Sequence, residues 1–303
     1  MKTQDRSFIY AIAMLMVAII SVQSSSSLAK VLFQSNEAIV VATMRLMLGA
    51  SILCLISRIW TVKFKKVYWR TILTYGVALA GMNGLFYLAL ERLPLGLTVA
   101  FAFAGPLTVA LLNAKQRIDL LWVSLSILGM ILLIPFKEAS GSLDLLGVFY
   151  ALGTGASWAT YILSGQKTSG VSGNHTVALG MLIGSCVLIP FSLYTGKFSH
   201  AFTPHIFPYF IGLAILASAL PFTLEMIALK RLPPIVFGTL TSLDPVVAAI
   251  SGILLLDEHL LTIQWVALFI IIIASLGCTY STHRTKQKLE AQIKKQQEKL
   301  HSL

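Results

Sequence analysis

The chain has 303 residues, of which 56% are hydrophobic and 12% charged, with a formal charge of +11 and a mean hydropathy of +0.82. A soluble domain carries about a quarter charged residues, which excludes an ordinary cytosolic enzyme, a disordered chain and a disulfide-stapled secreted domain. An all-α polytopic membrane protein remains, because apolar windows of about 20 residues recur and none alternates as a porin strand would.

Ten such windows follow one another along the sequence. The first, residues 8–33, is unusually polar, with Ser21, Gln23 and the run Ser24 to Ser27, and it closes on Lys30. Its basic start, apolar stretch and small residues also have the form of a signal peptide. It is expected to stay on the chain, because the repeat described below needs it as the counterpart of the sixth window. The second window, 38–57, contains Arg45 about eight residues in. Windows 71–90 and 93–112 carry Asn83 and Tyr87, then Gly105-Pro106. The fifth, 120–136, is uncharged, and the sixth, 145–166, holds Trp158 and Tyr161. After the uncharged seventh, 176–195, come 206–229 with Pro221 and Glu225, and 233–256 with Thr241 and Asp244-Pro245. A tenth, 260–281, precedes a tail of Lys, Gln and Glu over residues 282–303. With Leu289, Ile293 and Leu300 in it, the tail reads as a solvated or membrane-surface basic helix, with a short coiled-coil contact as the alternative.

The net positive charge would suit a nucleic-acid binder, yet its placement argues for no nucleic acid. With the N-terminus inside, 18 of the 23 Lys and Arg residues fall in the cytoplasmic loops and the tail. Lys30, Arg92, Lys137 and Lys197 fall outside, and Arg45 lies within a window. This is the positive-inside pattern, so both termini are expected in the cytoplasm. The three cysteines are isolated within apolar windows and all six histidines lie in loops or the tail, which leaves no signature for a metal or a redox cofactor. Nor is there a phosphate-binding G-x-x-x-x-G-K-[ST] loop.

The two halves repeat. Residues 88–94 read L-A-L-E-R-L-P and residues 227–233 read I-A-L-K-R-L-P; at the same offset Gly105-Pro106 falls on Asp244-Pro245, and Asp119 on Glu258. Two five-helix repeats, 1–137 and 143–281, follow. An odd number of spans inserts the second upside down, which is the architecture of secondary transporters.

The Arg-Leu-Pro joints, Asp244-Pro245 followed by Gly252 and Leu256-Asp257-Glu258, and the ten-span inverted repeat resemble the drug/metabolite transporter superfamily, EamA type. Longer stretches, among them Met44-Arg45-Leu46, Gly81-Met82-Asn83, Tyr161 to Gln166 and Leu224 to Leu229, are similar to its bacterial inner-membrane exporters of the threonine/homoserine kind. The resemblance implies proton-coupled export of a small amino acid, with no enzymatic activity, and covers nearly everything before residue 282. It departs at two positions. Ala102 stands where a Glu is expected four residues before Pro106, and Asp244 stands in place of a second Glu. Both bear on which substrate moves and on how many protons accompany it.

Ten of the twelve acidic residues lie in loops, the tail or helix ends; Glu225 and Asp244 do not. A carboxyl in hydrocarbon must lose its charge, pair it or face a cavity. Asp244 is about eleven residues into its window, near the midplane, and Pro245 leaves the Thr241 carbonyl without its helical donor. Asp244 is therefore the leading candidate for carrying the proton, with Thr241 on the same face; a plain proline kink is the alternative. Glu225 is either a second functional acid or an anchor for Lys230 or Arg231. Arg45 either faces the cavity or forms a structural ion pair with one of the acids, and Lys30 either joins it or snorkels to the headgroups.

Two cations and two acids suit a zwitterion, and its hydroxyl could be read by Ser24, Ser27 or Asn83, although small hydroxyl residues also serve close helix packing. Tyr87, Trp158 and Tyr161 are either cavity wall or core. The function expected is an amino-acid exporter using proton antiport and alternating access. Its partners are the substrate, protons and the lipid bilayer. A carrier of another metabolite or drug, a lipid-modifying enzyme and a structural membrane protein are the rivals, the enzyme disfavoured because membrane-depth His or Cys clusters are lacking.

Overall fold

The structure is a computed structural model and describes residues 2–25, 32–33, 35–61, 68–93, 95–133, 144–168, 171–256 and 261–301. The described residues form helices and turns. In chain order the helices are α1 (Lys2–Ser24), α2 (Ala38–Ser57), α3 (Trp69–Leu90), α4 (Leu95–Leu112), α5 (Arg117–Leu133), α6 (Leu145–Gln166), α7 (Gly173–Tyr194), α8 (Phe207–Ala214), α9 (Leu220–Arg231), α10 (Pro234–Thr241), α11 (Asp244–Leu256) and α12 (Thr262–His301). A π-turn, Ile215–Ala219, joins α8 to α9.

Seven helical stretches among the described residues are long and apolar enough to cross a membrane: Arg6–Ser24, Ala38–Ser57, Trp69–Leu90, Gly173–Tyr194, Phe207–Arg231, Pro234–Ser251 and Thr262–Thr285. The chain is thus a multi-pass membrane protein. Of the remaining windows, α4 has a shorter apolar stretch, Thr98–Leu112, and α5 spans 17 residues. The 22 residues of α6 are diluted by glycine, threonine, serine and glutamine, as suits a helix packed between α3 and α4. The tail differs from a separate segment: α12 runs unbroken for 40 residues, from the membrane into the tail.

Apolar side chains lie both inside and outside the bundle. Tyr75, Tyr161, Phe237, Met44 and Leu79 are fully buried, whereas Leu112, Phe149, Leu254 and Leu276 turn outward. An apolar perimeter of this kind is a lipid-facing surface. The main pairings join residues before 134 to residues after 144. Helix α3 packs on α6 as α1 packs on α9, α3 on α7 as α2 on α8, and α4 on α6 as α1 on α11. Three further pairings, α2 with α7, α4 with α10 and α5 with α12, join helices that the repeat expected from the sequence sets in correspondence.

One crossing is unusually close. A Cβ added at Gly105 would lie 1.9 Å from the Gly155 carbonyl oxygen, so α4 and α6 meet backbone to backbone, and the buried Ala102 sits one turn before that crossing. At the start of α6, Asp144 is the N-cap, accepting from the backbone N–H groups of Leu146 (2.9 Å) and Gly147 (3.2 Å) and from Arg92 (3.0 Å). The Gly147 bond first, then that to Arg92, holds its carboxyl below the usual range. The cap is therefore fully in place above the ordinary carboxylate range and weakens only as pH falls through that lowered value.

Helices α2 and α7 are antiparallel and tied at both ends. At one end Lys197 Nζ meets Glu37 Oε1 at 2.5 Å, and Thr43 Oγ1 and Ser192 Oγ are 2.5 Å apart in a buried contact. At the other, His175 Nε2 is 3.1 Å from the Ser57 carbonyl oxygen. There α2 ends on Arg58, whose positive φ of 47° turns its N–H back to the carbonyls of Cys54 and Leu55.

Candidate functional site

Two prolines of the second half, Pro221 and Pro245, stand beside irregular helix, whereas Pro190 lies within the regular α7. The predicted continuous helix over 233–256 is instead two helices. Pro245 offers the Thr241 carbonyl no hydrogen, and the amides of Ser242 and Leu243 bond three residues back, to Thr239 and Leu240. Asp244 consequently opens a new helix, α11, inside the bundle. Upstream, the carbonyl freed by Pro221 belongs to Ala217, within the π-turn.

Three polar clusters converge near these irregularities. Arg45 of α2 donates from Nη2 to Asn83 Oδ1 of α3, and Asn83 in turn donates from Nδ2 to the Leu79 carbonyl at 2.8 Å. That second bond fixes which end of the amide faces Arg45. The Arg45 Nε is buried without a hydrogen-bond partner among the described residues. Glu225 of α9 accepts from the Tyr161 hydroxyl at 2.9 Å, and Tyr161 stacks on Tyr75 with centroids 4.9 Å apart. Asp244 is reached from α1: Gln23 Nε2 lies 3.1 Å from its main-chain oxygen and 3.5 Å from Oδ1. Arg45 is close enough to act electrostatically on Glu225, and Glu225 on Asp244.

The alternatives left by the sequence can now be weighed. Among the described residues Arg45 forms no ion pair within 4 Å with either acid; the two ion pairs are Arg92–Asp144 and Lys197–Glu37. Neither basic neighbour anchors Glu225. Lys230 Nζ donates to the carbonyls of Thr168 (3.0 Å) and Val171 (2.5 Å), and Arg231 lies over the Tyr10 ring at 5.0 Å.

Thr241 is buried and its hydroxyl donates to the Gly238 carbonyl at 2.9 Å within its own helix. Trp158 meets Phe103 edge-on, and Tyr87 meets Phe33 and Phe86 edge-on; the contacts of both are ring packing. Ser24 is exposed at the end of α1. Lys30 and Ser27 lie outside the described residues. Gln23 and Tyr75 are the additions. Gln23 stood in an unusually polar helix, but nothing in the sequence distinguished Tyr75 from core.

Known proteins resemble the chain over most of its length. Residues 145–280 match the EamA-like transporter family. The chain is 43% identical over 283 residues to the threonine/homoserine exporter RhtA of Escherichia coli (strain K12), covering 93% of this chain and 95% of that protein. RhtA of Salmonella typhimurium (strain LT2) is 42% identical over 284 residues, covering 93% and 96%. A protein described as an uncharacterized transporter, YwfM of Bacillus subtilis (strain 168), is 24% identical over 254 residues, covering 80% and 84%. A crystal structure with 15% identity superposes with a TM-score of 0.74 over 91% of this chain and 98% of the other, a likeness of fold.

Proposed function

Because the chain belongs to the EamA-like transporter family, we propose that it is a secondary active exporter of small zwitterionic amino acids of the threonine/homoserine class in the bacterial inner membrane. The observation that carries this reading is the convergence of Arg45, Glu225 and Asp244 without an ion pair among them. A guanidinium whose described partner is the neutral Asn83 keeps its full charge for a substrate carboxylate. Two carboxyls without basic partners among the described residues suit an ammonium group and a proton. A zwitterion satisfies both sets at once, while a simple amine would leave Arg45 unpaired.

Asp244 is assigned as the group that exchanges proton for substrate, since it stands at the helix break and within electrostatic reach of Glu225. Proton antiport with alternating access then requires the two halves to rock about the clusters. Ten crossings in two inverted five-helix repeats, with both termini cytoplasmic, are the framework proposed for that motion. The exchange of halves seen in the helix pairings supports it.

The test uses the full chain in proteoliposomes with labelled threonine and an imposed pH gradient. Gradient-driven transport is expected, with strong competition by homoserine and serine, weaker competition by valine, and little by the decarboxylated amine. Asp244→Asn should abolish the gradient-driven component at equal expression. Equal competition by the amine would remove Arg45 from substrate binding and favour a cationic drug as substrate. Unimpaired gradient-driven transport by the variant would remove Asp244 from the coupling.

A further inference from the structure

Helix α1 touches both irregular segments of the second half. Ser21 Oγ donates to the Leu216 carbonyl of the π-turn at 2.6 Å, and two residues on, Gln23 reaches Asp244 at the break between α10 and α11. In the latter, one amide nitrogen faces both a main-chain oxygen, at 3.1 Å, and a carboxylate oxygen, at 3.5 Å. A primary amide has a donor end and an acceptor end. Toward a charged Asp244 only the donor end is favourable. Once the carboxyl carries a proton it becomes a donor as well, and the acceptor end of the same amide can then meet it.

We infer that Gln23 is the positioning residue that reads the proton on Asp244 and passes the change to α1. The inference rests on the functional reading only in taking Asp244 as the proton-carrying group. Gln23 does not exchange the proton. It turns, or shifts between its two acceptors, as the charge beside it comes and goes. Among the described groups, Glu225 from α9 acts on Asp244, and Arg45 from α2 acts on Glu225, so the charge felt by Gln23 is set by these three together. Because α1 also holds Leu216, a movement begun at Asp244 reaches the helix that carries Glu225.

The experiment is an infrared titration of the protonated-carboxyl band in the full chain in lipid, the band being assigned by its loss in Asp244→Asn. Gln23→Met keeps the length of the side chain and removes its hydrogen bonding. Losing a bond to a carboxylate should move the midpoint of the band by about one pH unit, or tenfold in proton affinity, toward higher pH. Ser21→Ala, which loosens α1 at the π-turn without touching Asp244, should titrate as the parent does. A Gln23→Met midpoint equal to the parent's, or an equal displacement in Ser21→Ala, would overturn the inference. Since the readout is a carboxyl band and not transport, it stands whichever substrate the chain carries.

Discussion

At the scale of single residues, Arg45 is defined by what it does not touch. Its described hydrogen-bond partner is Asn83, a neutral amide whose orientation is fixed by Leu79. An acid in that place would neutralise the guanidinium and compete with a substrate carboxylate. Asn83→Asp should therefore raise the KM for threonine about tenfold, equivalent to roughly 1.4 kcal/mol, with kcat less affected. Asn83→Ala, which frees Arg45 without neutralising it, should be milder in KM and lose more in kcat through disorder. A titration of initial rate against substrate in proteoliposomes separates the two. Arg45, Glu225 and Asp244 were legible in the sequence because charges inside apolar windows are costly and therefore conspicuous. Their partners were not. Asn83 stands out in the sequence only as a polar group, and its pairing with Arg45 depends on how α2 and α3 pack. Gln23 meets Asp244 across 221 positions of sequence, and Tyr75 is an aromatic among many.

At the scale of elements, hydropathy located helix in each window, because a stretch of about 20 apolar residues in lipid has no other way to satisfy its backbone. What hydropathy could not supply was the fate of the proline carbonyls. One proline leaves one carbonyl unbonded, which is compatible with a kink or a break; the choice fell on a break at Pro245 because Ser242 and Leu243 tighten to bonds three residues back. Pro245→Ala restores the missing donor and should let α10 run into α11. That change is expected to raise resistance to unfolding in micelles while slowing transport, with Asp244 rotated away from Gln23. Close crossings were equally hidden. Gly105→Ala places a methyl 1.9 Å from a main-chain oxygen and should prevent native packing, read as loss of the monodisperse peak in size-exclusion chromatography. Gly196 serves as the contrast. Its φ of +69° is left-handed, yet nothing lies within 4 Å of an added Cβ, so Gly196→Ala should cost only about 1 to 2 kcal/mol of strain.

At the scale of the whole molecule, the antiparallel pair α2–α7 is a ruler across the membrane. Twenty residues of α2 span about 30 Å, enough to separate its two tied ends by a full hydrocarbon thickness. Glu37 and Lys197 must then lie on one side, and Ser57 and His175 on the other. The ion pair Lys197–Glu37 is not what holds the ends together, since its side chains are 52% and 38% exposed and such pairs contribute about 0 to 1 kcal/mol. Burial of Thr43 against Ser192 and the apolar faces of the two helices do that. The basic residues supply the expected orientation: by the positive-inside rule, Arg58 and the loop after it should put the Ser57 end in the cytoplasm. Single cysteines at 37 and 197, in a chain whose Cys54, Cys186 and Cys278 have been replaced, should react with a membrane-impermeant maleimide in intact cells. Cysteines at 58, 115 and 175 should react only after the inner membrane is opened. Positions 37 and 175 responding from the same side would break the ruler, and with it the proposal of an odd number of crossings per half and an inverted second half.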